Sequence, residues 1–150
     1  MSSIIFHWTL SKGTHPGINN PHARKRILSR WNLMAKAFGL GEDTTDGKPS
    51  LYCVTNDPNV QMKDAEIHFK TFEDLYSAID YSSKDGEHVY IEEGGDDLSS
   101  FTHPKRAVYV FGSDYGELSM PKMLSFKSAL PVHSETAAGV VLAHRFSQWH

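Results

Sequence analysis

The chain opens with SIIFHWTL, an apolar run rich in β-branched and aromatic residues that predicts a first strand. NNPHARKRILSRWNLMAKAFGL then changes to helical spacing. The helix is expected to start after Pro21 and stop near Gly39, with Ile27, Trp31, Met34 and Phe38 on the buried side and Arg26 and Arg30, four apart, on another face. GLGEDTTDGKPS is polar and glycine-containing, hence a loop, and SLYCVT is the next strand. DAEIHFKTFEDLYSAID predicts a short strand and a helix, with Thr71 and Asp74 spaced as a capping box. HVYIEE is another strand, GGDDLSSFTHP a loop or short helix, and AVYVFG a strand. The run then breaks into a glycine loop at FGSDYGEL, recovers as a brief strand at SALPV, and ends in a small-residue helix, TAAGVVLAHRF, with Ser134 as its expected N-cap. Strands alternating with helical stretches predict an α/β fold around a mainly parallel sheet. Loops at the C-terminal ends of strands are where such open sheets bind ligands.

A chain of 150 residues, 39% of them hydrophobic, suits one domain spanning 1–150 with its own core. The one cysteine, Cys53, cannot form an internal disulfide, which fits a reducing compartment. No run has the length of a membrane span, and MSSIIFHWTLSKG lacks the basic start of a signal peptide, so a soluble, cytoplasmic protein is expected. The net charge of -3 conceals an asymmetry. From Met1 to Gly41 there is no acidic residue, while Lys12, Arg24, Lys25, Arg26, Arg30 and Lys36 are present; the acids crowd between Glu42 and Asp97. The basic helix is either a solvated face or a phosphate-binding surface. The histidines show no pairing with convergent cysteines or carboxylates of the kind zinc requires, and no metal is expected.

FGSDYGEL and LPVHSETAAGVVLAHRF resemble the second and third motifs of the SpoU-type (TrmH-like) branch of the SPOUT RNA methyltransferases, FGxExxGL and NxSxAAGxxLYE. NPHARKR keeps the Asn-to-Arg spacing of the first motif, NxGxIxR, through Asn20 and Arg26. His22 stands in place of the glycine, Arg24 in place of the isoleucine, Asp114 in place of the usual glutamate, His133 in place of asparagine, and Glu135 where serine is common. The resemblance implies a sheet ending in a C-terminal trefoil knot over about 107–150, a homodimer, S-adenosylmethionine bound in the knot loops, and RNA bound across the dimer. The length matches the smallest members, which include tRNA wobble-position ribose methyltransferases.

The resemblance also implies site roles. Gly112 and Gly116 would let the backbone approach the adenosyl group, and backbone groups around Leu130, Val132 and His133 would read the adenine edge. Ile91, Glu92, Phe111, Ser113 and Ala137 complete the expected cofactor set. Asn20, Arg24 and Lys25 are expected on RNA, and Arg26, or Arg30 one turn on, is the expected catalytic arginine, orienting phosphate and ribose and stabilising developing negative charge. His133 is either a general base or a packing and capping residue. Trp8, Trp31 and Trp149 are expected in the core or at a dimer contact. Two functions follow: 2'-O-methylation of RNA, most readily tRNA, or a non-catalytic module of the same fold that binds the cofactor or RNA without turnover.

Overall fold

The computed structural model of the protein describes residues 2–8, 21–55, 68–111, 123–126 and 134–150. In chain order these form β1 (Ser3–Trp8), α1 (Pro21–Ala37), β2 (Ser50–Thr55), β3 (His68–Phe72), α2 (Leu75–Ser82), β4 (Glu87–Asp97), a 3-10 turn (Leu98–Ser100), β5 (Ala107–Val110), β6 (Met123–Ser125) and α3 (Ser134–Trp149). The strands make one sheet in the order β3-β2-β1-β5-β4-β6, each neighbouring pair parallel. SLYCVT is a strand over its whole length and is buried at every position, as is β5. Continuous burial is what a parallel sheet covered on both faces imposes.

The pleat sorts these side chains into two cores. Ile4, Phe6, Leu51, Cys53, Tyr109 and Phe111 share one with Leu28, Trp31 and Ala35 of α1 and Ala138, Val141 and Leu142 of α3. Ile5, Tyr52, Val54, Val108 and Val110 share the other with Leu75 and Ala78 of α2. Within α1 the described buried residues are Leu28, Trp31, Asn32 and Ala35, whereas Met34 and Phe38, expected on the buried side, are only partly buried because they turn toward α3, and the side chain of Ile27 lies outside those described. Trp31 stacks on Phe6 with ring centroids 4.7 Å apart. The helix ends in a Schellman motif: Leu40 N–H donates to the Ala35 carbonyl (2.9 Å), Gly39 N–H to the Lys36 carbonyl (3.1 Å), and Gly39 takes φ 84°, which glycine alone adopts without strain.

α1 and α3 lie side by side in the same direction, because their contacts advance together along both. Arg30 meets Glu135, a Cβ at Gly139 would lie 3.7 Å from Met34 Sδ, Phe38 meets Phe146 with centroids 6.4 Å apart, and Glu42 beyond α1 bonds His150 at 2.7 Å. A side chain as small as alanine at Gly139 would make only ordinary contact with Met34.

Three local expectations change. Thr71 is a strand residue and caps nothing; Asp74 is the N-cap of α2, accepting from the Ser77 N–H at 2.8 Å. GGDD continues β4 to Asp97 because β6 pairs with it, with a register shift between Ile91 and Asp96. Ser134 opens α3 as a helical residue. Trp31 is core, while Trp149 is 40% exposed. The SALPV strand and the crossings of the expected knot fall on 112–122 and 127–133, outside the described residues. No described helix is long and apolar enough to cross a membrane.

The segment between β4 and β5 is fastened to α3 through His103, which is 1% exposed. Its Nδ1 bonds the Tyr109 hydroxyl (2.7 Å), its Nε2 bonds His144 Nδ1 (2.8 Å), and its backbone N–H donates to Gln148 Oε1 (2.9 Å). Burial, reinforced by His144 and then by the Arg145 charge, pushes the His103 pKa down to about 4. The unfolded chain, with an ordinary histidine, therefore binds the extra proton between about pH 6.5 and pH 4. Stability is complete above that window and falls on acidification through it, by on the order of 3 kcal/mol. His88, lowered by burial, acts in the same sense. Urea denaturation across this range should show the loss, and His103→Gln should flatten it.

Candidate functional site

The strand order reverses between β1 and β5: β2 and β3 lie beyond β1 on one side, β5, β4 and β6 on the other. A reversal of this kind opens a crevice at the C-terminal ends of the two strands. Here the crevice is bridged. Phe111 N–H donates to the Ile5 carbonyl at 2.9 Å, and the Phe111 carbonyl lies 2.9 Å from His7 Nδ1. A carbonyl only accepts, so Nδ1 carries the proton in this bond. Both backbone groups of Phe111 are thus held by β1 at the residue before Gly112. His7 has no motif around it in sequence; only the strand order brings it to Phe111.

The remaining candidates divide by position. The Phe111 side chain is fully buried, with Trp31 6.0 Å away by ring centroid, so the ring is core. Ile91 follows Tyr90, the partner of Val110, at the same end of the sheet and packs partly buried against the α1–α3 core; Glu92 is next along β4. Ala137 is 9% exposed in the early part of α3, beside fully buried Ala138. Arg24 lies in the first turn of α1, followed by Lys25 and Arg26, whose side chains are exposed. Asn20, Gly112, Ser113, Gly116, Leu130, Val132 and His133 fall outside the described residues.

The two arginines differ. Arg30 makes a bidentate pair with Glu135, Nε to Oε1 at 3.0 Å and Nη2 to Oε2 at 3.4 Å. It spends its donors tying α1 to the start of α3. Arg26, one turn nearer the start of the helix, has no hydrogen-bond or ion-pair partner among the described residues. Glu135, read in sequence only as a departure from serine, turns out to be what separates them. Among the described residues no three histidine, cysteine or acidic side chains converge as a metal site.

No family model matches the chain, and no curated protein matches it in sequence. In three dimensions it has the fold of the SpoU/TrmH proteins, a mainly parallel sheet flanked by helices. The SpoU methyltransferase AviRb from Streptomyces viridochromogenes, solved with the cofactor AdoMet, aligns with a TM-score of 0.61 at 16% identity, over 97% of this chain and 59% of its own. The A. aeolicus TrmH/SpoU tRNA modifying enzyme gives 0.63 at 10% identity, over 97% and 74%. A protein solved to explain the 2-OH methylation of C/U34 on tRNA gives 0.59 at 12% identity, over 97% and 94%. The chain thus spans less than two thirds of AviRb and nearly all of the last protein.

Proposed function

We propose that the protein is an S-adenosylmethionine-dependent RNA methyltransferase that methylates a ribose 2'-hydroxyl, in tRNA, and works as a homodimer in the cytoplasm. The observation that carries the reading is the reversal of strand order between β1 and β5, a place where open parallel sheets bind ligands. Phe111, the residue before Gly112, is held there by Ile5 and His7, and α1, whose Arg26 has no partner among the described residues, packs on the same core as Phe111. The fold shared with AviRb and the tRNA-modifying proteins supports it.

The residues suit the cofactor. Ile91 in β4 and Ala137 in the early part of α3 are aliphatic, and Phe111 is held at the residue before Gly112, a glycine whose backbone can come close to a purine. When bound, the cofactor supplies an electrophilic methyl group. The chain's task is then alignment, which accounts for much of the acceleration in such transfers. Arg24 and Lys25 attract the RNA backbone, with Asn20 ahead of them; Arg26 orients the phosphate and the reacting ribose and stabilises negative charge as the hydroxyl proton leaves. Leu33 and Val140, 63% and 40% exposed on the neighbouring helices α1 and α3, support the dimer, since a second copy would cover apolar surface otherwise in water.

Calorimetry with S-adenosylmethionine, followed by mass spectrometry of nucleosides from tRNA incubated with protein and cofactor, tests the proposal. Saturable binding and a new 2'-O-methylnucleoside are expected, from a protein that sediments as a dimer. Cofactor binding without transfer to any RNA would leave the non-catalytic module, and absence of binding would overturn both.

A further inference from the structure

The opposite end of the sheet holds a second polar centre. The Ser2 hydroxyl donates to the Lys105 carbonyl (3.3 Å) and accepts from the Ala107 N–H (3.1 Å) and from Arg145 Nη2 (3.2 Å), which also donates to the Lys105 carbonyl (3.1 Å). Arg145 is only 7% exposed, and its Nε has no partner. The guanidinium also meets the Tyr109 hydroxyl, so every bond the described residues give it goes to a neutral oxygen, and none of their carboxylates lies within ion-pair distance of it. A buried cation without a counter-ion is costly, and folded proteins normally pair such groups. The charge is felt nearby, since it helps hold His103 neutral.

Arg145 lines a cavity of about 230 Å³ together with Lys105, His150, Trp149, Glu42 and Asp43. Glu42 is engaged by His150 at 2.7 Å and is not the missing counter-ion. Lys105 brings a second positive charge to the rim, and Trp149 gives a partly exposed indole wall. The cavity lies at the N-terminal ends of β1 and β5, roughly 16 Å along β1 from the His7 bridge at about 3.3 Å per residue.

We propose that this cavity is a second binding site, for a phosphate group, with Arg145 as the buried counter-charge, Lys105 as the rim contact and Trp149 as the wall. The phosphate is either the free ion or that of a nucleotide whose base lies against the indole. The site does not depend on the methyl-transfer reading, because it uses none of the residues at the β1–β5 crevice.

Titrating the full chain with inorganic phosphate, adenosine 5'-monophosphate and adenosine, while following tryptophan emission, tests it. Sodium chloride at matched ionic strength is the control, and Trp149→Phe assigns the signal among the three tryptophans. Phosphate should give a saturable change that chloride does not, with a parallel rise in Tm. Lys105→Ala, at an exposed side chain, should weaken phosphate binding about tenfold, as loss of one charge-assisted contact does. Arg145→Gln should abolish it; where that variant fails to fold, Lys105→Ala decides. Tighter binding of the nucleotide than of phosphate identifies a nucleotide ligand, and equal affinity identifies the free ion. The proposal is overturned if chloride reproduces the change, if adenosine binds as well as its monophosphate, or if Lys105→Ala binds phosphate like the unaltered protein, which would make Arg145 only a staple between Ser2 and Lys105.

Discussion

Arg26→Ala is expected to lower the maximal rate of methyl transfer by about two to three orders of magnitude, while RNA affinity falls only severalfold and cofactor affinity is unchanged. The size of the effect follows from where the interaction is made. A guanidinium that meets charge developing on the ribose oxygen acts mainly in the transition state, so its loss appears in turnover. Arg26 is free to do this because it is exposed and unpartnered among the described residues. Arg30 is held by Glu135 across a helix pair, so Arg30→Ala should cost the tie between α1 and α3, an exposed ion pair contributing about 0–1 kcal/mol, and reduce turnover far less. Arg24→Ala and Lys25→Ala should weaken RNA binding, flatten its salt dependence and spare turnover at saturating RNA. Single-turnover rates at saturating tRNA, beside equilibrium RNA binding, separate the cases. If all four variants keep full turnover at saturation, α1 is a phosphate-binding surface and the arginine must be sought elsewhere.

Trp31→Ala should destabilise the fold by about 3–5 kcal/mol, the usual range for removing a large aromatic side chain from a core. Trp31 is 4% exposed, stacks on Phe6 and approaches Phe111, so it fills the space where α1, β1 and β5 meet. The cavity left behind would open beside Phe111. The urea midpoint should drop with little change in slope, and any cofactor binding that survives should weaken as the Phe111 anchor loosens. Leu33→Ala, two positions along the same helix but 63% exposed, should change the stability of the monomer by no more than about 0.5 kcal/mol.

The sequence is readable where a residue's structural role depends on near neighbours. SLYCVT is a strand because its residues suit continuous burial, and α1 ends at Gly39 because that glycine supplies the left-handed turn. Reading fails where a distant partner decides. GGDD looks like loop, yet it is strand because β6 pairs with it, and MLS is too short to announce itself. The candidate site behaves in the same way. Lys25, Arg26 and Arg30 are visible as a basic helix face, but the contact that distinguishes the arginines spans 105 positions and depends on how α1 and α3 pack. The His7 bridge to Phe111 likewise spans 104 positions and exists only because β5 lies next to β1.

That placement of β5 also bears on how the chain is assembled during synthesis. β1, β2 and β3 can associate as soon as they leave the ribosome, since they are sheet neighbours in chain order. β4, made next, is not a neighbour of any of them. The two parts of the sheet are joined only when residues 107–110 emerge to lie between β1 and β4. Until then the inner edge of β1 keeps its backbone donors and acceptors unpaired, an open template for pairing with another chain. Pairing of this kind, between segments about a hundred residues apart, is slow compared with local structure. A nascent chain stopped before residue 107 is therefore the species for which aggregation competes most directly with folding.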